Sequence, residues 1–273
     1  MTIKVRTARP VGRARRRLLE GVAGERLVGI FSPVLLLLLW EGLGRAGLLD
    51  ERFFPSPSAI AGTLAQLVAS GELLDHVTTS LGRIAIGFTI GAIPGLLLGT
   101  AMGLSRIVRA ALKPMVGALY PIPKTAIFPL LLLIFGIGEP SKYAIVAIGV
   151  FFLVLLNTMA GVLAIEPVYF DVGKNFGAGR REIFRTVAIP GAMPLIFTGL
   201  RLAWGNALLL IVVAEIIGAR SGIGAFIWNS WQTFQVERMY AGLLVISFIG
   251  YVSFLLIDEL QRWLIPWRGA RAG

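Results

Sequence analysis

Long apolar runs alternate with short polar ones along this chain, and each long run is about as long as a bilayer is thick. A helix rises about 1.5 Å per residue, so roughly 20 apolar residues cross the hydrocarbon layer. On that measure the pattern predicts six spans: Leu27–Leu49, Ile84–Leu104, Pro114–Ile137, Tyr143–Ile165, a fifth from after Pro194 to near Glu215–Ile217, and Tyr240–Ile257. Two further stretches are amphipathic and too short or too polar to cross. After a turn at Phe53–Pro57, Ser56 is placed to cap a short helix with Pro57 in its first turn, and Ile60, Leu64, Leu67 and Val68 make one apolar stripe. Between Gly218 and Met239, Ile223, Phe226, Ile227, Trp231 and Phe234 recur at helical spacing, and Trp228 and Trp231 suit an interface. This stretch reads as a helix lying on the membrane. The fold class is therefore an all-α polytopic membrane protein.

Composition agrees: 56% of the 273 residues are apolar, and mean hydropathy is +0.80. The net charge of +11 raises the question of nucleic acid, which the placement of the basic residues answers. With six spans both termini lie on one side. That side collects eight Lys/Arg from residues 1–26, three from 105–113, four from 166–190 and three from the C-terminal tail, eighteen against five on the other side. By the positive-inside rule this places both termini and the 166–194 loop in the cytoplasm, and the basic residues are topology signals rather than a nucleic-acid surface. The organisation is a basic cytoplasmic tail (1–26), one multi-pass membrane domain (27–267) and a cytoplasmic C-terminal tail (268–273). The apolar run after the basic tail lacks a small-residue cleavage site and reads as an uncleaved span. The chain has no cysteine and one histidine, His76, which reads as an ordinary surface residue. Metal clusters, thiol chemistry and a nucleophile–base pair thus find no residues, and no P-loop is present for nucleotide.

Three features stand out. In the second span Gly87, Gly91, Gly95 and Gly99, with Gly103, fall at every fourth position, so one helix face lets another backbone approach, for fixed packing or for sliding. The third span holds Pro114, Pro121, Pro123 and Pro129, with Lys124 near mid-length. Such prolines free carbonyls that hydrocarbon does not satisfy. Lys124 either lines a watery cavity tuned to anions or snorkels to the interface. Third, the loop 166–194 carries Glu166, Asp171, Lys174, Arg180, Arg181, Glu182 and Arg185 between two apolar spans. Gly177 and Gly179 allow a sharp turn, the arginines offer a charged face, and Ile183, Phe184 and Val187 an apolar one. Pro190 and Pro194 are expected to end the loop and set the entry into the fifth span.

The loop resembles the cytoplasmic signature of binding-protein-dependent ABC importer permeases: E-A-A, three residues, Gly, nine residues, I-x-L-P. Gly177 fits the glycine, Val187–Pro190 stands for I-x-L-P, and Asp171-Val172-Gly173 replaces E-A-A, keeping the acid and losing both alanines. The run from Gly177 to Pro194 (G-A-x-R-x-x-I-F-R-x-V-x-I-P-G-A-x-P) is similar to the family as well. F-x-P-S-P-S-A (Phe53–Ala59), P-I-P-K (Pro121–Lys124), P-L-L-L-L-I-F-G-I-G-E-P-S-K (Pro129–Lys142) and G-L-R-L-A-W (Gly199–Trp204) resemble its nitrate/sulfonate/taurine branch.

The resemblance implies a type I importer transmembrane fold and a permease that is not itself an enzyme. It implies two cytoplasmic ATPase subunits that bind ATP and Mg, a second permease copy in a homodimer, and an extracytoplasmic substrate-binding protein. It puts the ATPase-coupling loop on Asp171, Phe176, Gly177, Ala178, Arg180, Arg181, Ile183, Phe184 and Pro190, with a coupling helix around Phe176–Phe184. Pro121, Pro123 and Lys124 fall on the translocation pathway. The implied cargo is a small anion such as nitrate, a sulfonate or taurine; the alternatives are a neutral or heterocyclic solute such as a vitamin precursor, or a secondary transporter that needs no ATPase.

Overall fold

The computed structural model describes residues 22–267, and every regular element among them is helical. Most of the basic N-terminal tail and the whole of 268–273 lie outside the described residues. The chain divides into two compact units, 1–62 and 63–273.

In the first unit, α1 (Val22–Arg45) occupies the position of the first predicted span, and its Leu35–Leu39 run is exposed. The far end of α1 is tied to the turn that follows it. Glu41 pairs with Arg45 at 2.8 Å and accepts from the Ser58 amide (3.0 Å) and hydroxyl (2.8 Å). The serines of F-x-P-S-P-S-A thus meet a helix-end carboxylate. α2 (Pro57–Ala69) starts at the predicted proline, with the Ser56 hydroxyl accepting from the Ala59 amide.

The second unit is built on α3 (Glu72–Leu104), α6 (Glu139–Leu163) and α8 (Arg180–Gly218). Among the described residues these three and α10 (Val236–Leu264) are long and apolar enough to cross a membrane. The pair α4 (Arg106–Leu119) and α5 (Lys124–Phe135), bent by 94° at the break between them, counts as a fifth span if taken as one. α7 (Pro167–Asn175) and α9 (Ile223–Gln232) are short. α6 is the central helix. Val146, Val150 and Val154 recur at every fourth position along it, fully buried in one core with Ile84 of α3, Phe128 of α5 and Ala203, Ala207 and Ile211 of α8.

The glycine face of α3 meets α6 backbone to backbone. A Cβ built on Gly95 would lie 2.9 Å from the Phe151 carbonyl, and one on Gly99 would lie 2.5 Å from that of Leu155. One on Gly87 would lie 2.7 Å from Val146 Cβ, and one on Gly91 would run into the Ala147 carbonyl. Residue numbers rise together on the two sides, so α3 and α6 run parallel. Dispersion along such a seam, not hydrophobic burial, holds helices together in lipid. α8 packs on the other side of α6 antiparallel, Gly199 against Asn157 and Gly161 against Ala192.

The structure departs from the sequence reading in four places. α3 starts at Glu72, twelve residues before the predicted span, because its first turns are amphipathic and pack on protein rather than lipid. The third span begins at Arg106 rather than Pro114, the basic segment before it being helical as well, while its break falls where Pro121 and Pro123 lack the amide protons a continuous helix needs. α9 does not merely lie on a membrane: Ile223, Ala225 and Phe226 are buried, Phe226 against Leu67, Leu73 and Ala241. Trp228 and Trp231 stack on each other, 4.7 Å between centroids, on its outer side. Finally, Pro190 and Pro194 do not end the charged loop. The helix runs from Arg180 through both prolines, with a π-helical turn at Phe184–Ala188. That widened turn immediately before Pro190 accommodates a residue without an amide proton.

Candidate functional site

At one end of the second unit, the chain between α6 and α8 forms an elbow. α7 stops at a Schellman turn: the Ala178 amide donates to the Gly173 carbonyl (3.0 Å) and the Gly177 amide to that of Lys174 (2.9 Å). This geometry needs a left-handed residue, and Gly177 takes φ +80°. Two residues later α8 begins, with the Glu182 carboxylate accepting the Gly179 amide at 3.0 Å. One helix stops and the next starts within Phe176–Gly179. The predicted coupling helix therefore falls on a turn and the first turn of α8.

The elbow presents Phe176, the most exposed large hydrophobic side chain among the described residues at 88%, together with exposed Val172, Arg180 and Arg181. Ala178, Ile183 and Phe184 are half-buried, as is Pro190. Asp171 is exposed and pairs with Lys174 at 3.2 Å. Behind the elbow a cavity of about 800 Å³ opens between the ends of α3 and α6 and the inner face of α7, lined by Arg106, Arg109, Asp171, Lys174 and Arg180 among others. Arg109 also caps α3, donating to the Met102 (2.8 Å) and Gly103 (3.1 Å) carbonyls.

The broken pair α4–α5 brings Pro121, Pro123 and Lys124 together. The Lys124 ammonium donates to the carbonyls of Leu119 (3.1 Å), Tyr120 (2.8 Å) and Ile122 (2.8 Å). Its charge also lies 4.7 Å from the centroid of the Phe152 ring on α6. Three N–H groups meet three carbonyls released by the break, which answers the problem the prolines create. In this conformation the lysine is a pin through the break with no donor left for another ligand.

At the end opposite the elbow lies a polar cluster that sequence reasoning missed. Arg83 is 5% exposed and Glu215 fully buried. Arg83 forms a bidentate pair with Glu139 (Nε to Oε2 2.7 Å, Nη2 to Oε1 2.6 Å) and donates through Nη1 to Glu215 Oε1 (2.9 Å) and the Ser221 carbonyl (2.6 Å). Ser80 donates to Glu215 at 2.8 Å, and Glu215 also accepts the Gly224 amide at 2.9 Å. Lys142, 3.6 Å from Glu139 and bonded to the Gly138 carbonyl, balances the charge. His76 is no bystander either; it is half-buried and its Nδ1 accepts the Gly222 amide at 3.1 Å. The available signal was a lone arginine opening one apolar run and a lone glutamate closing another, because opposite charges within spans tend to pair. A second pair missed in the same way, Arg201–Asp258 at 2.8 Å, joins α8 to α10.

The fold places the chain in a class. A chain of the MetNI methionine ABC transporter in an inward-facing conformation superposes with a TM-score of 0.60 at 19% identity, covering 70% of this chain and 95% of that one. The architecture is thus the type I ABC importer transmembrane fold. Residues 88–269 match the family of binding-protein-dependent transport system inner membrane components, and the chain belongs to that family. It is 33% identical to the SsuC permease protein of Bacillus subtilis (strain 168), assigned to aliphatic sulfonates transport, over 90% of this chain and 89% of that one. It is 32% identical to the taurine transport system permease protein TauC of Escherichia coli (strain K12), over 89% of this chain and 90% of TauC. These relatives are transport permeases rather than enzymes.

Proposed function

We propose that this permease carries small organic anions of the alkyl sulfonate and taurine class inward, driven by ATP hydrolysis on two partner ATPase subunits that bind ATP and Mg. Two copies of the chain would enclose the path, with the elbow in the cytoplasm and a substrate-binding protein docking at the opposite end. The observation that carries this reading is the elbow itself. A glycine turn presenting Phe176 to water leads directly into the first turn of the 39-residue helix α8, which presents Arg180 and Arg181. Force applied there acts directly on a membrane-crossing element. The anion class rests on the SsuC and TauC resemblance. Because the Lys124 donors are taken up by carbonyls, the binding protein is the better candidate for selecting cargo, and Lys124 for holding a gate.

The test is the importer reconstituted in vesicles with its ATPase and binding protein, scored by taurine- or alkylsulfonate-stimulated ATP hydrolysis. Arg181→Glu should bring stimulation to near the basal rate while insertion and thermal midpoint stay unchanged. Full stimulation in that variant would overturn the docking role.

A further inference from the structure

The polar cluster around Arg83 is larger than stability requires. An apolar set of the same volume often holds a fold as well as a buried ion pair does, since desolvation offsets most of the Coulombic gain. What a bidentate guanidinium adds is fixed geometry.

His76, Ser80 and Arg83 lie on one face of α3 and all grip the segment from Ser221 to Ile223. The Gly222 amide is held by His76, the Ile223 amide by Ser80 (2.8 Å) and the Ser221 carbonyl by Arg83. The segment is cut to fit: Gly222 has φ +114°, a Cβ there would run into the Glu215 carboxylate, and one on Gly224 would meet the Val212 carbonyl. Arg83 then reaches α6 through Glu139 and α8 through Glu215. Four elements meet on one side chain.

We propose that Arg83 is a positioning residue for transport, a latch that makes the ends of α3, α6 and α8 and the start of α9 one rigid body. α8 runs about 50 Å from the elbow to Glu215. A stroke entering at the elbow reaches the far end of the path through this carboxylate and is handed to α3 and α9 together. Without the latch α8 would slide past them and the far end would stay still. This inference rests on the importer reading above.

The absence of cysteine from the chain allows a direct test. Spin labels on Thr78→Cys in α3 and Arg220→Cys in the turn, both exposed, report the distance across the latch. In an otherwise native chain the distance should be single and unchanged between nucleotide-free and ATP-trapped importer. A distance that shifts between the two states overturns the latch. The double variant R83M/E215Q removes the buried Arg83–Glu215 charge pair as a unit, leaves Lys142 with Glu139, and keeps an acceptor for Ser80 and Gly224. It should insert and melt near the native temperature, broaden the label distance, and move solute per ATP roughly tenfold or more less well. A folded double variant with native coupling overturns the proposal; if it fails to fold, the native-background distances decide. An importer of native sequence that shows no solute-stimulated hydrolysis would instead refute the importer reading, while label distances in the permease alone still test the latch.

Discussion

Gly173 and Gly177 stand four residues apart and would answer a side chain in opposite ways. A Cβ on Gly173 would rest 3.6 Å from Ile183 and 3.9 Å from Val187, ordinary contact, in right-handed helix. Gly173→Ala should therefore stabilise the elbow by about 0.5–1 kcal/mol, read as a rise of roughly 2–4 °C per kcal/mol in the melting midpoint of the purified protein. A Cβ on Gly177 would meet nothing within 4 Å, but the backbone sits at φ +80°. Gly177→Val should cost about 1–2 kcal/mol through backbone strain alone and lower the midpoint accordingly. The turn glycine was legible in the sequence because the demand it meets is local. Arg83 was not: a single arginine at the mouth of an apolar run looks the same whether it snorkels or is buried, and its partner Glu215 lies 132 residues away.

Among the elements, the α3–α6 seam shows which part of a pattern is readable. The period of four announces a face made for close approach, but not the helix that fills it or the direction that helix runs. Gly91→Ala drives a methyl group into the Ala147 backbone, which has no rotamer to escape by, so a loss of about 1–3 kcal/mol or failure to fold is expected. Gly117→Ala, in open space on α4, should leave the midpoint unchanged or slightly raised, and thermal unfolding of the two side by side checks the contrast. α9 marks the opposite limit. An apolar stripe specifies burial without saying whether lipid or protein provides it, and here protein covers Phe226 while Trp231 stays outside. The prolines of α8 were misread for a related reason. Proline forbids an ordinary helical bond, but one π-helical turn restores continuity.

On the scale of the whole molecule, eighteen basic residues against five set the expected orientation, and the structure puts the elbow and the Arg83 cluster at opposite ends of the second unit. With the chain naturally free of cysteine, Arg220→Cys should react with a membrane-impermeant maleimide in intact cells, and Asn175→Cys only after permeabilisation. The reverse pattern would invert the topology. The parallel seam also bears on how such a protein is made. Parallel neighbours cannot form as a hairpin, so in N-to-C synthesis the glycine face of α3 stays uncovered until α4 and α5 are inserted and α6 follows. Arg83 meets Glu139 after 56 further residues and Glu215 only after 132. At ordinary synthesis rates the second wait is on the order of ten seconds. Until α6 arrives the nascent chain holds an unpaired Arg83 and an open small-residue groove. Until α8 arrives Arg83 still lacks its buried partner Glu215, so the arrival of α8, rather than of α6, is the step that completes the cluster and commits the chain to its final form.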